Sequence, residues 1–148
     1  MTTYINNRKA KFDFEILEEF EAGIVLAGYE VKALRAGKGK LEGAHVVVRG
    51  GEAYLAGASI SPYQEKNTPT DYDPEQVRKL LLSKKELAEL EQKSEQAGLT
   101  IVPIKLYNSG RNIKLAIALA RGKKKTDKRE TIKKRDTKRD IERILKNQ

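Results

Sequence analysis

Few residues of this chain have a type and a spacing that could support catalysis. The single histidine, His45, stands in a predicted strand beside three valines, and no nucleophile is spaced to act with it, so we interpret it as a surface side chain. Asp71 and Asp73 flank Tyr72 without the spacing of a calcium loop. Residues 37–40, Gly-Lys-Gly-Lys, lack the spacing of a phosphate-binding loop. The sequence therefore predicts no catalytic residue, no metal site and no cofactor.

Lysine and tyrosine are interleaved on one predicted strand face near the C-terminal third of the chain. Lys105 and Tyr107 share that face, opposite Ile104 and Leu106, and Lys114 projects in the same way from the next strand. This combination suits phosphate contact and base stacking in a nucleic-acid complex. A solvated sheet face carries the same pattern, so both interpretations stay open at this point.

The positive charge is concentrated at the C-terminus. Of the net +9, residues 121–148 supply +8, from 13 basic and 5 acidic residues, whereas residues 1–120 have 17 basic and 16 acidic residues. A basic arm on a near-neutral body is typical of proteins that bind a polyanion, most often nucleic acid. The arm has no Phe, Trp or Tyr to enter a membrane interface. A purely solubilising tail is the alternative.

Composition excludes several kinds of chemistry and favours one cellular location. The chain has no cysteine, which excludes disulfides, thiol catalysis and cysteine-ligated zinc. It has no apolar run near the ~20 residues that a membrane span needs, and no apolar segment typical of a signal peptide near its N-terminus. We therefore predict a cytoplasmic protein of one folded domain without a membrane partner.

The first half of the chain reads mainly as strands. After a polar arm over residues 1–11, alternating apolar residues predict a strand from Lys11. Residues 18–22 resemble a helical turn that Gly23 ends, residues 24–27 a buried strand, and residues 30–35 a short helix. Gly50-Gly51 lies between two apolar runs and predicts a β-hairpin over residues 44–58.

The second half contains the main helical signals and two further strands. Asp73 before Pro74 predicts a helix start, with Val77, Leu80 and Leu81 on one face. Ser83 and Glu86 have the spacing of a capping box, which predicts a second helix with inward side chains and a stop at Gly98; those side chains are Leu87, Leu90 and Ala97. Residues 99–107 and 113–119 predict strands joined by a turn at residues 108–110. About six strands without α/β alternation favour a small antiparallel barrel.

The tail differs from this body. After Gly122 the chain has few apolar residues, and they are Ile132, Ile141, Ile144 and Leu145. Such a segment cannot offset its ordering entropy alone. We predict two parts, a folded domain over residues 1–122 and a tail over residues 123–148, and we expect the tail to be disordered alone and helical against a partner.

Several long motifs also resemble one family. LEEFEAGIVLAGYEVKALRAGK, GEAYLAGASISPY, DPEQVRKLLLSKKEL and ARGKKKTDKR are similar to segments of small protein B, the tmRNA- (SsrA-) binding protein of bacteria. The resemblance implies a mainly β fold, an antiparallel OB-like β-barrel with about three helices. It also implies trans-translation: binding the tRNA-like domain of tmRNA, one protein per RNA, and carrying it to stalled ribosomes.

The resemblance also implies which residues contact these partners. For tmRNA it points to Asn7, Glu21, Leu81 and Lys114, to which we add Arg8, Lys9, Lys105 and Tyr107 from the polar arm and the strand face. For the ribosomal decoding centre and messenger channel it points to Gly122, Lys123, Lys124, Asp127, Lys128, Arg129, Ile144 and Leu145. The chain departs from common family residues at Phe14, Tyr29 and Thr126.

Two other functions remain open from the sequence. One is a general OB-type protein for single strands or for ribosome assembly, which would bind any strand with a steep salt dependence. The other is a nuclease using Asp71 or Asp73, which would require a metal.

Overall fold

The structure is a computed structural model that describes residues 2–96 and 98–123. This part of the chain forms nine strands, three α-helices and a 3₁₀ turn at Glu65–Asn67. The helices are α1 (Arg8–Asp13), α2 (Gly28–Arg35) and α3 (Lys84–Ser94). The strands are β1 (Thr3–Asn6), β2 (Phe14–Ile24), β3 (Gly39–Lys40), β4 (His45–Arg49), β5 (Glu52–Ala56), β6 (Ser59–Ile60), β7 (Arg78–Leu81), β8 (Leu99–Ser109) and β9 (Asn112–Gly122).

Six of these strands pair in an antiparallel ring. β4 pairs with β5, β5 with β7, β7 with β2, β2 with β9 and β9 with β8. A single pair, Val46 with Ile101, connects β8 back to β4. β1 adds to the remaining part of β8. The predicted mainly β, antiparallel fold with three helices is thus confirmed for the described residues.

The strand β9 is buried on both faces, and its two faces have different residue sizes. Leu115 and Ile117 enter the main core, to which α2 contributes Leu34 and α3 contributes Leu90. The opposite face carries Ala116, Ala118 and Ala120, which pack in a second cluster with Ala10 of α1 and with Phe14 and Ile16. Alanines fit here because α1 packs close over this end of the sheet through Ala10.

The helical turn predicted at residues 18–22 is wrong. β2 runs unbroken through these residues and pairs with β9 from Phe14 to Gly23, with one register shift between Ile16 and Glu18. Sheet hydrogen bonds along this length outweigh the helix preference of the glutamates. β2 ends at Ile24, so the strand predicted over residues 24–27 is also wrong beyond its first residue.

The helix predicted after Asp73 is wrong as well. The Asp73 carboxylate accepts from the amide of Glu75, which closes a turn, and residues 78–81 form β7. Arg78 and Leu80 of β7 are buried whereas Leu81 is 54% exposed. The alternation has the period of a strand, so Leu80 and Leu81 lie on opposite faces.

The N-terminal arm is likewise not irregular chain. Residues 3–6 form β1 and residues 8–13 form α1, so the strand predicted from Lys11 begins only at Phe14. The turn predicted at residues 108–110 falls instead at Gly110 and Arg111, because β8 continues to Ser109.

Most of the remaining local predictions are confirmed. The hairpin turns at Gly50 and Gly51, both with positive φ, and α2 extends the predicted short helix by two residues to Gly28. Ser83 and Glu86 form both bonds of the capping box at the start of α3. The helix stop predicted at Gly98 is wrong, because α3 ends at Ser94 with Glu95 as its C-cap, and Gly98, with φ of 82°, lies in the connection to β8. Ala97 lies outside the described residues.

Candidate nucleic-acid interface

The outer face of the sheet collects five of the sequence-predicted residues in two adjacent rows. Cross-strand neighbours point to the same face of a sheet, and the pairs Tyr107–Lys114, Lys114–Gly23 and Gly23–Leu81 make a row across β8, β9, β2 and β7. The next row is Lys105, Ala116 and Glu21. We call these two rows the outer-face rows.

Gly23 allows the row to be tight between β2 and β7. A Cβ at this position would lie 3.2 Å from the Cβ of Leu81, closer than about nine in ten such contacts, so Leu81 would have to shift. Because Gly23 has no side chain, the Leu81 side chain can lie beside the β2 backbone, and it stays 54% exposed. An exposed leucine next to a lysine in the same row provides both an apolar surface and a positive charge.

A groove of about 330 Å³ adjoins the outer-face rows at Leu81 and Lys114. Its other walls are α2, through Val31 and Arg35, and the β8–β9 turn, through Arg111. Three basic side chains thus surround an apolar floor. Such a groove can neutralise phosphates while apolar groups contact a base or a ribose.

Glu21, Lys105 and Tyr107 interact directly. The Tyr107 hydroxyl donates a 2.5 Å hydrogen bond to the Glu21 carboxylate, and the Lys105 ammonium lies 5.2 Å from the Tyr107 ring centroid. Tyr107 is only 5% exposed and packs with Ile104 in the second cluster. The expectation of an exposed stacking tyrosine opposite Ile104 is therefore wrong: Tyr107 is a buried support for Glu21, which is itself exposed.

We expect Tyr107 to titrate at unusually high pH. Burial first, and then the hydrogen bond to Glu21 and its negative charge, raise the pKa of Tyr107 to about 12. Because the unfolded value is about 10, the resulting stabilisation is fully present below about pH 10 and is lost as the pH rises towards 12. Tyrosinate absorbance titration of the wild type and of Tyr107→Phe will isolate this group. The difference between the two titrations is the ionisation of Tyr107. A difference centred at the ordinary tyrosine pKa of about 10 would contradict the arrangement.

Asn7 is a buried brace and not an exposed contact. Its side-chain oxygen accepts from the Ala10 amide at the start of α1, and its Nδ2 donates to the carbonyls of Pro103 at 2.8 Å and Leu41 at 3.3 Å. Asn7 is 2% exposed. It joins α1 to β8, the strand that carries Lys105 and Tyr107.

We expect Asn7→Ala to lower the free energy of unfolding by about 2–3 kcal/mol. The change removes a helix cap and leaves buried carbonyls without their donor. Urea unfolding measures the effect, with Asn6→Ala as control because Asn6 is exposed. A loss of RNA affinity without loss of stability would contradict the structural role.

The other predicted positions lie at the edges of this surface. Arg8 and Lys9 are exposed on α1, and His45 is exposed on β4, as predicted for a surface histidine. Gly122 ends β9, and the amide of Lys123 donates to the Asp13 carbonyl at 2.9 Å. The remaining tail positions lie outside the described residues; they are Lys124, Asp127, Lys128, Arg129, Ile144 and Leu145.

Sequence reasoning missed a buried ion pair between Glu30 and Arg78. Arg78 Nε donates to Glu30 Oε2 at 2.7 Å, and both residues are 3% exposed. Arg78 also donates to the Ala58 and Pro74 carbonyls and to the Tyr72 hydroxyl. Burial alone raises the pKa of Glu30, but the Ala27 amide and Arg78 hold that pKa below its ordinary value. No local pattern distinguishes Arg78 from surface arginines, so only the fold identifies it.

Two further observations cover the described residues. None of their helices is long and apolar enough to cross a bilayer. They also contain no group of three or more His, Cys, Asp or Glu side chains placed to hold a metal ion.

The fold and this surface define a class: a small, mainly antiparallel β protein whose outer face and groove suit an anionic polymer. More particularly, the chain belongs to the SmpB protein family, whose sequence model matches residues 4–147. The resemblance stated from the sequence motifs is thereby confirmed.

Curated relatives match over nearly their full length. The chain is 51% identical over 142 residues to the SsrA-binding protein of Burkholderia vietnamiensis, covering 96% of both chains. It is 49% identical over 141 residues to that of Microcystis aeruginosa, covering 95% of this chain and 92% of the relative. A solved structure described as "tmRNA-SmpB: a journey to the center of the bacterial ribosome" contains a chain with 46% identity and a TM-score of 0.68, over 86% of this chain and 92% of that one.

Proposed function

We propose that this protein binds the tRNA-like domain of tmRNA and delivers it to stalled bacterial ribosomes in trans-translation. Family membership and the names of the relatives support the assignment. The observation that carries it is the placement of Glu21, Leu81 and Lys114 on the outer-face rows beside a basic groove. Residues that are distant in sequence converge on one surface.

The division of the chain into two tasks is part of this proposal. The ring of strands acts as an OB-like barrel that recognises RNA over residues 1–122, one protein per RNA, in the cytoplasm and without catalysis. The basic tail over residues 123–148 is disordered alone and becomes helical in the empty messenger channel near the decoding centre. Its charge of +7, from 12 basic and 5 acidic residues, supports contact with ribosomal RNA.

A competition gel-shift tests the assignment. The full-length protein should retain the tRNA-like domain against a large excess of unstructured RNA at near-physiological salt. A chain ending at Gly122 should keep this affinity and lose tagging on stalled ribosomes. Equal affinity for any single strand would instead indicate a general single-strand binder, and loss of RNA affinity on truncation would contradict the division of tasks.

A further inference from the structure

A second cleft lies across α2 from the groove of the outer-face rows. Val31 and Arg35 of α2 line the groove, whereas Tyr29 and Lys32 line the second cleft, whose volume is about 260 Å³. The opposite wall is the segment that follows β6, contributed by Tyr63, Gln64, Asn67 and Thr68. We call this the Tyr63 cleft. α2 is therefore a partition with a basic cavity on each side.

The Tyr63 cleft combines an exposed aromatic ring with positive charge. Tyr63 is 44% exposed, and the ammonium of Lys38 lies 5.5 Å from its ring centroid. Lys32 adds a second positive charge at the cleft, and none of the described lining residues is acidic. An aromatic ring beside lysines is the arrangement that stacks a nucleobase and neutralises its phosphate.

The wall formed by α2 is held in place from below. Tyr29 packs edge-to-face on Tyr72, with ring centroids 5.2 Å apart and planes at 82°. The Tyr72 hydroxyl donates to the Ile60 carbonyl at 2.9 Å and accepts from Arg78 at 3.1 Å. The buried Glu30–Arg78 pair therefore fixes the aromatic wall before any ligand arrives, which lowers the entropic cost of binding.

Hydrogen bonds within the segment that follows β6 stabilise the opposite wall, and two of its polar groups are left without a bond in the described chain. Asn67 Nδ2 donates to Gln64 Oε1 at 2.6 Å, and the Thr68 hydroxyl donates to the Gln64 carbonyl at 2.8 Å. The amide nitrogen of Gln64 and the amide oxygen of Asn67 make no hydrogen bond within the described part of the chain. They are one donor and one acceptor, which is what a base edge requires. The volume lies just below the ~300 Å³ of small-molecule pockets and suits one planar group.

We propose that the Tyr63 cleft binds an unpaired RNA nucleotide, with its base on the Tyr63 ring and its phosphate near Lys32. The inference rests on the proposed function, because the same RNA that fills the groove on one side of α2 would place this nucleotide on the other side. The positive charge of Lys32 and Lys38 and the absence of an acidic side chain among the described lining residues favour RNA over a protein segment. The cleft adds a contact that holds the RNA across α2.

Substitutions of Tyr63 and Lys32 in the full-length protein test the cleft. Filter binding to the tRNA-like domain of tmRNA should show about tenfold weaker affinity for Tyr63→Ala, because stacking contributes about 1–3 kcal/mol per base. Tyr63→Trp should retain the wild-type affinity, since it keeps an aromatic face. Lys32→Ala should reduce the slope of affinity against salt by about one phosphate contact.

Matched controls separate these effects from general damage. Leu17→Ala removes a large side chain of similar exposure, 42%, and Lys85→Ala removes an exposed charge on α3; both should bind RNA as the wild type does. Unchanged affinity for both Tyr63→Ala and Lys32→Ala overturns the proposal. If tagging fails while affinity is unchanged, the cleft acts at a step after binding of the tRNA-like domain, and the proposal is overturned.

The failure of this proposal differs from failure of the proposed function. A wild-type protein without preference for the tRNA-like domain contradicts the proposed function alone. In that event the same pair of proteins, wild type and Tyr63→Ala, is compared on a single-stranded uridine oligonucleotide. About tenfold weaker binding by the variant supports the cleft, and equal binding overturns it.

Discussion

Replacing Arg78 with methionine is expected to lower the free energy of unfolding by about 3–5 kcal/mol, the cost of leaving a buried charge without its partner. Glu30 would keep the Ala27 amide and lose the guanidinium 2.7 Å away. The carbonyls of Ala58 and Pro74 would lose their donor at the same time. Urea unfolding followed by circular dichroism measures the change.

The neighbouring residue supplies a matched control for this prediction. Lys79→Met removes an ion pair with Glu52 that is about half exposed on both sides and 3.6 Å long, so it should lower the free energy of unfolding far less than Arg78→Met does. The double variant Glu30→Leu/Arg78→Met should recover much of the loss, because it removes both buried charges. Equal effects of Arg78→Met and Lys79→Met would contradict the buried pair.

The pH dependence of the free energy of unfolding should also report the Glu30–Arg78 pair. Since the pKa of Glu30 is lowered in the folded protein, its stabilising contribution is fully present above the unfolded carboxyl pKa of about 4.3. It is lost as the pH falls through the lower folded pKa. The wild type should therefore lose stability through this acidic range, and Glu30→Gln, which has no carboxyl to titrate there, should lose less.

The double variant Leu81→Ala/Lys114→Ala is expected to weaken binding to the tRNA-like domain by about 100-fold. An apolar contact to a base and a phosphate contact each contribute roughly 1–3 kcal/mol, and about 1.4 kcal/mol is a factor of ten. Both side chains border the same groove and belong to one row across β9, β2 and β7. Gel-shift titration at two salt concentrations measures both the affinity and its salt dependence.

Controls for this variant come from exposed residues outside the outer-face rows. Val77→Ala/Lys85→Ala removes a 61% exposed valine and an exposed lysine, and should leave RNA affinity unchanged. Thermal unfolding of the Leu81/Lys114 variant should match the wild type closely, since Leu81 is exposed and Lys114 is half-buried. Wild-type affinity in a stably folded double variant would show that the groove is not part of the RNA interface.

Local signals in the sequence were sufficient where the chain interacts with its near neighbours. The capping box of Ser83 and Glu86 and the turn at Gly50 and Gly51 form from residues within a few positions, so the sequence predicted α3 and the β4–β5 hairpin. The family motifs and the positive charge of the tail were also evident from the sequence alone. The predicted face shared by Lys105, Tyr107 and Lys114 is also present in the sheet.

Pairing between distant strands decided the secondary structure where local helix preference predicts it wrongly. Residues 18–22 are strand because β9 pairs with them, and residues 78–81 are strand because they complete a ring between β5 and β2. A hydrogen-bonded neighbour, brought from far along the chain, outweighs the weak helix preference of a few residues.

What only the tertiary structure decided is which side chains support the surface and which present it. The sequence determined that the chain is a mainly β member of the SmpB family with Glu21, Leu81 and Lys114 as candidate contacts. Burial then assigned Tyr107 and Asn7 to support, because α1 and the second cluster cover this part of the sheet. Exposure and burial depend on which distant segments pack together, and no short sequence pattern specifies that.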